Sequence, residues 1–391
     1  MSEDLRLDHA QSGKRTVNHM HLKACAALLL LLIANTVPAA TPTEEPLRAA
    51  LAAGDLKSAE TLAQSLEKDY VAGNLNGDEY TNRLRDILPE KAPRNWESYL
   101  QKWRASNPIS YIASFTLGIF YENVAVQLRG FKYANETTPD QLAGYHEYQE
   151  KAQAELESSL HLSTKPYPTY CELIPTATSD NQKRATYFKA ALQIDPYSLC
   201  AWHKYLIQAG PRWGGSTEQM QSLVAQARKS QLRESEKRHL SAIEYTIQAE
   251  DATELKRYQE AVFLYQTAYQ EFPGKKNVWR LNRAGETAKK GELIDLAIAL
   301  YGKVLDIDPE NTAALNARAG LYEFNQGNLA LAFSDYKASA DLGNKAAQKI
   351  VGSWYLLGKG TTKSPEQAQV YMDKAAGSCT PPLICPPSNK K

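Results

Sequence analysis

Alanine and tyrosine recur at a fixed spacing through the second half of the chain, and this period constrains the fold more than any other feature. The alanines stand 36, 35 and 36 residues apart, at Ala261, Ala297, Ala332 and Ala368. A tyrosine follows each of them three or four positions later, at Tyr265, Tyr301, Tyr336 and Tyr371. At that separation both residues lie on the same face of one helix. A period of this length predicts stacked helix pairs, with a small residue at each close contact.

Glycine and proline also recur at fixed places in the same units. Gly285 and Gly320 are 35 residues apart, one helix before the tyrosines, and Pro273 and Pro309 follow two of the units. Proline cannot continue a helix, and glycine permits a close helix approach. The segments AVFLYQTAYQEFP, LAIALYGKVLDIDP and LAFSDYKASADLG resemble the second helix of the tetratricopeptide repeat. This resemblance implies a helix-turn-helix solenoid.

The last unit, residues 346–377, departs from that pattern because its connecting loop carries two glycines. It resembles the slightly longer Sel1-like repeat. The residues that carry the likeness are Gly352, Tyr355, Gly358, Gly360, Ala368, Tyr371, Ala375 and Ala376. The second half is therefore expected to be a tetratricopeptide/Sel1-like superhelix.

The first half shows no sustained alternation of apolar and polar residues, so it too is predicted to be helical. Residues 46–70 have the Ala/Leu spacing of a helix, interrupted by a Gly-Asp turn. YFKAALQIDP, residues 187–196, again ends like a tetratricopeptide second helix, with Pro196 as its stop. The predicted fold class is all-α over the whole chain.

The stretch GPRWGGST, residues 210–217, has the two glycines of a phosphate-binding loop at Gly210 and Gly215. The lysine that would reach the phosphates is missing, and no strand pattern precedes the stretch. We interpret it as a helix-to-helix corner, with Ser216 as N-cap and Gln219 completing a capping box. It also resembles the PRWGGS signature of a bacterial family of unknown function, family 4034. The RGFKYAN stretch and the run from Trp96 to Ser110 support that likeness over residues 91–240.

The N-terminal region reads as an export signal. A basic start at Lys23 precedes an apolar run from Ala24 to Val37, and small residues then allow cleavage after Ala39. An uncleaved anchor is the alternative, but about 14 apolar residues are short for a bilayer core of ~30 Å. The acidic start makes Met20 a second candidate start. The expected location is periplasmic or secreted, with no stable membrane span after cleavage.

Four cysteines remain after such cleavage, namely Cys171, Cys200, Cys379 and Cys385. An even number in an oxidising compartment suggests disulfides, and three pairings are open. The short prolyl loop CTPPLIC favours pairing of Cys379 with Cys385, whereas free thiols are the alternative.

The candidate binding residues fall in two groups. Arg212 and Trp213 could stack and bind an anionic or aromatic ligand, or Trp213 could plug the corner while Arg212 caps a helix. A second group lies on the first helices of the repeats, where such arrays often line a groove, although a solvated surface is the alternative. Its members are Asn282, Arg283, Lys290 and Arg318.

No catalytic motif is present, since the sequence lacks H-E-x-x-H, C-x-x-C and G-x-S-x-G. No cofactor or metal is predicted. The formal net charge of +1 gives no field that would attract nucleic acid. We therefore expect a scaffold that binds a protein or peptide partner. The alternative is an enzyme with a site around Arg212, Trp213 and His203, which a deep pocket joining Arg, Glu and His would favour.

The predicted organisation has five parts. Residues 1–39 form the signal peptide, 40–90 N-terminal helices, and 91–240 the domain resembling family 4034. Residues 241–377 form the repeats, and 378–391 a tail rich in cysteine and proline.

Overall fold

The structure, a computed structural model, describes residues 44–89, 93–129, 137–177, 180–211 and 214–377. These residues form 18 α-helices and no strand, so the predicted all-α class is confirmed. The helices before the repeats are α1 (Glu44–Ala53), α2 (Leu56–Val71), α3 (Gly77–Arg85), α4 (Trp96–Ser106), α5 (Tyr111–Arg129), α6 (Pro139–Ser159), α7 (Tyr167–Thr176), α8 (Asn181–Ile194), α9 (Leu199–Gln208) and α10 (Thr217–Arg228). The remaining helices are α11 (Glu234–Glu254), α12 (Tyr258–Glu271), α13 (Trp279–Lys290), α14 (Ile294–Ile307), α15 (Thr312–Phe324), α16 (Leu329–Asp341), α17 (Lys345–Leu357) and α18 (Pro365–Ala376). The predicted signal peptide and the predicted tail lie outside the described residues.

The Gly-Asp turn near the start is formed as predicted. Gly54 ends α1 with a φ of +74°, a left-handed conformation that glycine adopts without strain. The Asp55 side chain then accepts a hydrogen bond from the backbone N–H of Ser58 and caps α2.

In the repeats, the helices pack as antiparallel pairs, α11 with α12 through α17 with α18. The four periodic alanines and the four tyrosines are all buried. Gly285 on α13 shows why a small residue stands at the contact. A Cβ there would lie 2.8 Å from the ring of Tyr301, so the tyrosine packs directly against the glycine backbone.

The last pair has the loop expected of a Sel1-like unit. Gly358 ends α17 in a left-handed conformation, with φ +71°. Gly360 also has a positive φ, and a Cβ there would overlap the carbonyl oxygen of Leu329. Both glycines are therefore required by the backbone path of this loop.

Three apolar clusters form the interior. The first joins α1–α10 to the start of α11, the second spans α11 to α15, and the third extends from α15 to α18. Helix α11 contributes Leu240 and Ile243 to the first cluster and Ala249 and Ala252 to the second. This single long helix thus couples the first half to the repeats.

The described residues of the GPRWGGST stretch, 210–211 and 214–217, form a corner between α9 and α10, as predicted, but the two central glycines serve different purposes. Gly214 has a φ of +82°, whereas Gly215 has no positive φ and is needed because a Cβ there would overlap the carbonyl oxygen of Ala209. Ser216 caps α10 by accepting a hydrogen bond from the backbone N–H of Gln219 at 3.2 Å. In the described structure only this hydrogen bond to the serine side chain is present, so the predicted capping box is half formed.

Candidate binding cleft

A cleft of about 630 Å³ opens where the first half meets the repeats, and we call it the junction cleft. Helices α3, α7, α9 and α11 line it. Its charged and polar lining includes Asp78, Arg85, Glu172, Cys200, His203, Lys204, Arg233, Glu236 and His239. Four helices, some of them far apart in sequence, therefore supply one concave surface.

A buried ion cluster forms the floor of the junction cleft. Glu172 on α7 is fully buried, and both of its carboxylate oxygens accept hydrogen bonds from Arg85 Nη1 at 2.8 Å. Lys204 Nζ on α9 donates to the same carboxylate. Burial alone would raise the pKa of Glu172, but the charges of Lys204 and Arg85 outweigh it and lower that pKa. Glu172 is therefore a fixed anion held between two cations.

A second carboxyl group, Glu122 on α5, stands beside this cluster. Its Oε2 atom is buried and has no hydrogen-bond partner. Burial raises the pKa of Glu122 to about 7, with Glu172 adding to the rise while Lys204 opposes it. A proton on Glu122 would give its buried oxygen a hydrogen bond to donate to the neighbouring carboxylate. The two carboxyl groups thus have very different proton affinities at neutral pH.

Two histidines form the wall between this cleft and the next cavity. The rings of His203 on α9 and His239 on α11 lie 5.5 Å apart, and His239 also contacts Phe272 at 4.8 Å. Burial lowers the pKa of both, that of His203 to about 4, with the positive charge of His239 contributing. Both imidazoles are consequently neutral at pH 7, and Nδ1 of His239 is buried without a partner.

Asp78 fixes the helix that carries His203 and Lys204. Its carboxylate accepts hydrogen bonds from the backbone N–H groups of Leu199 and Cys200 at 2.6 and 3.0 Å. It also accepts one from the Tyr167 hydroxyl at 3.0 Å. A carboxylate at the N-terminus of α9 is stabilised by the orphan amides and the helix dipole. Helices α3, α7 and α9 are thereby joined around the cleft.

A smaller cavity of about 420 Å³ lies on the far side of the histidines, and we call it the Arg280 cavity. It shares His203, Ile207 and His239 with the junction cleft, and α11 and α13 provide its other walls. Its polar lining includes Thr246, Glu250, Asp251, Asn277 and Arg280.

The predicted binding residues lie elsewhere or outside the described residues. Arg212, Trp213, Cys379 and Cys385 belong to the undescribed segments, whereas Cys171 and Cys200 are free thiols. Arg283 pairs with Glu286 at 3.0 Å, and Lys290 is exposed in the last turn of α13. Asn282 is half-buried, and its Oδ1 has no partner.

Arg318 is the most constrained of the predicted residues. Its guanidinium makes two hydrogen bonds to Asp335 on α16, at 2.8 and 2.9 Å. This bidentate pair crosses between two repeat helices, so it contributes to repeat packing. The contact of Arg318 with a binding partner stays a prediction.

The sequence contained an overlooked signal for the ion cluster. Glu172 is the single charged residue of α7, Lys204 the single lysine or arginine of α9, and Glu122 the first charged residue of α5. A lone charge in an apolar helix is buried with that helix unless it reaches the surface, and a buried charge needs a partner. Opposite lone charges on α7 and α9, with a further acid in the mostly apolar α5, therefore indicate an ion cluster.

The convergence of Arg85, Glu172, His203 and His239 is the arrangement expected of an enzymatic site. These groups can also bind a polar ligand, since they present fixed donors and acceptors in a concave surface. Within the described ranges, no group of three or more His, Cys, Asp and Glu side chains could hold a metal ion. No described helix combines the length and apolar character needed to cross a membrane.

The family model of a domain of unknown function, DUF4034, matches residues 54–182 and 168–246. This match contains α2–α10 and the whole junction cleft except Phe272. No curated protein matches the chain.

Several solved structures are similar to the chain at low identity. PilF of Pseudomonas aeruginosa is 13% identical, with a TM-score of 0.30, over 68% of this chain and 90% of that one. A Sel1 repeat protein from Oxalobacter formigenes is 15% identical, with a TM-score of 0.32, over 85% and 86%. A human IFIT1 dimer with m7Gppp-AAAA is 14% identical, with a TM-score of 0.36, over 91% and 85%.

Proposed function

This chain contains a DUF4034 domain followed by tetratricopeptide-like and Sel1-like repeats, and on that premise we propose that it is an exported scaffold. It binds a protein or peptide partner in the bacterial envelope through its repeats. The DUF4034 domain, with its junction cleft, provides the rigid base from which the repeats extend.

The distribution of exposed apolar side chains is the observation that carries this proposal. In the described residues, nine of thirteen large exposed apolar side chains lie in the repeats. They are Leu255, Phe263, Trp279, Leu296, Phe324, Leu331, Leu342, Leu356 and Leu357. Phe263 is 67% exposed and Phe324 is 78% exposed. Contiguous exposed apolar surface marks protein interaction sites, and the repeats carry most of the side chains from which such a surface is built.

Site-specific photo-crosslinking in the living cell tests the binding role. A benzophenone amino acid at Phe263 or Phe324 is expected to yield a covalent adduct with one defined partner. Ile109 is the matched control, because it is equally apolar and 84% exposed but lies in the first half. Adducts that are absent at both phenylalanines, or that form equally at Ile109, would contradict the proposal.

Export is tested separately, by N-terminal sequencing of the protein recovered from the cell envelope. We expect the mature chain to begin after Ala39, because the apolar run is of signal length and ends in small residues. A mature chain that still begins at Met1 or Met20 would refute cleavage and leave the binding proposal intact.

An enzymatic role is the second candidate, and the junction cleft favours it. Glu122 is not part of the cleft lining, but its pKa of about 7 allows it to exchange a proton near neutral pH beside Glu172 and Lys204, which do line the cleft. A turnover assay with ester, amide and phosphate ester substrates tests this role. Activity that is present in the wild type and lost in Glu122→Gln would support a hydrolase, and the absence of turnover would exclude these substrates.

A further inference from the structure

Arg280, in the first turn of α13, is a buried cation that has no acidic partner among the described residues. Its residue exposure is 3%, so the guanidinium is almost completely removed from bulk water. Its Nε donates to Thr246 Oγ1 and its Nη1 to Asn277 Oδ1, both at 3.1 Å. Both acceptors are neutral. An arginine stays charged in a protein, so burial leaves a positive charge that no carboxylate neutralises.

Two deep carboxylates of the described structure are each paired with a cation, unlike Arg280. Glu172 has Arg85 and Lys204, and Asp335 has Arg318. Glu250 and Asp251 also line the Arg280 cavity and have interactions of their own, but the hydrogen bonds of Arg280 in the described structure go to Thr246 and Asn277. Burial is the cause that lowers the pKa of Arg280, with no compensating acidic group.

The surroundings of Arg280 suit an anion with an apolar part. Its guanidinium lies 4.6 Å from the centre of the Trp279 ring, which fixes the plane of the cation. The neutral His239, whose buried Nδ1 has no partner, lines the same cavity. Ile207, Ile243 and Ile247 provide an apolar part of the same lining. The volume of about 420 Å³ is that of a small-molecule site.

We propose that the Arg280 cavity binds a small organic oxyanion, a carboxylate or phosphate, whose apolar part packs against the three isoleucines. The oxyanion pairs with the free donors of the guanidinium, which presents five N–H groups and uses two within the protein. The N-terminal turn of α13 adds favourable electrostatics for an anion. Trp279 belongs both to this cavity and to the exposed apolar side chains of the repeats, but anion binding here does not require a protein partner.

Binding is tested on the full mature chain with three probes of one shape: phenylacetate, phenyl phosphate and the neutral phenylacetamide. Thermal melts and titration calorimetry at up to about 10 mM probe detect a ligand that binds only the folded state. We expect one or both anions to raise the melting midpoint and phenylacetamide to leave it unchanged. Carboxylate binding alone, or phosphate binding alone, identifies the source of the oxyanion.

Arg280→Met is the decisive variant, because methionine keeps much of the volume and removes the charge. We expect at least about tenfold weaker binding of the anion, with a melting midpoint of the free protein that is equal or higher. Arg257→Met is the matched control, since Arg257 is exposed and pairs only with Glu260 near it. It should bind the anion like the wild type.

Ile247→Trp keeps the charge and fills the cavity, so it covers the case in which Arg280→Met fails to fold. It should also abolish binding of the anion. The proposal is overturned if neither anion binds the wild type, if phenylacetamide binds equally well, or if a folded Arg280→Met or Ile247→Trp protein retains wild-type affinity.

Discussion

The interiors of the two halves of the molecule contain different types of residue. The repeats bury an alanine and a tyrosine on the same helix face in each unit, with Ala297 and Tyr301 as one example. The first half buries large aromatic side chains, such as Trp103 and Phe115, together with an ionic cluster around Glu172. The surfaces differ as well, because most of the large apolar side chains that are exposed belong to the repeats.

This difference separates the two kinds of site that the chain offers. A buried ion cluster contributes little net stability, because desolvation offsets the attraction between its charges. Because the cluster adds little stability, we relate it to the chemistry of the junction cleft that it lines. In the repeats, by contrast, the interior is apolar and regular, and the outer surface carries the features that suit a partner.

The largest expected effect comes from removing the central anion. Glu172→Gln leaves Arg85 and Lys204 without their shared carboxylate, and breaking a buried ion cluster in this way costs about 3–5 kcal/mol. We expect the lower end of that range, because the Arg85 side chain is 39% exposed. Chemical denaturation measures the loss.

Glu260→Gln is the control for that measurement. Glu260 lies in the repeats, and its pair with Arg257 is about half exposed on both sides. An exposed pair of this kind contributes about 0–1 kcal/mol. Equal losses in the two variants would show that the buried cluster has no special role in stability.

The two interiors also differ in how far the sequence predicts them. The spacing from Ala261 to Tyr371 encodes a repeated contact, so period and residue type were sufficient to predict the stacked helix pairs. The ion cluster depends on Arg85, Glu172 and Lys204, which are brought together only by the packing of three helices. No local rule specifies that packing. The junction cleft was therefore missed, although His203 had been placed in the alternative site.

The second prediction concerns the pH dependence of the first half. The pKa of Glu122 is raised from 4.5 to about 7 in the folded state. Between these values the folded protein keeps a proton that the unfolded chain has released, so stability falls as pH rises through this window. Glu122→Gln should remove this fall. The difference between the two proteins should change by up to about 3 kcal/mol between pH 4.5 and 7.

Denaturant midpoints measured at closely spaced pH values test this prediction. His203 titrates in an overlapping range with the opposite sign, because its pKa is lowered to about 4. It is present in both proteins, so its contribution largely cancels in the difference. A difference that does not vary with pH would mean that Glu122 ionises normally.

The third prediction compares two glycines at equivalent positions of successive repeats. A Cβ at Gly285 would lie 2.8 Å from the Tyr301 ring, whereas at Gly320 the nearest atom is the Tyr336 hydroxyl at 3.7 Å. Overpacking costs about 1–3 kcal/mol, and glycine to alanine in a helix gains up to about 1 kcal/mol. Gly285→Ala should therefore lose about 1–2 kcal/mol, and Gly320→Ala should be neutral or stabilised. Thermal melts distinguish the two, and a reversed order would contradict the packing.

The smallest expected effect tests whether the two halves obey the same local rules. Ser216 in the first half and Ser364 in the repeats each cap a helix with the sequence S-x-E-Q. Their hydroxyls accept a hydrogen bond from the backbone N–H of Gln219 and Gln367, at 3.2 and 3.3 Å. Ser216→Ala and Ser364→Ala should each cost about 1 kcal/mol, and aspartate at either position should restore most of it. Because the cap is local, clearly unequal losses by chemical denaturation would show that the surrounding half controls even its helix termini.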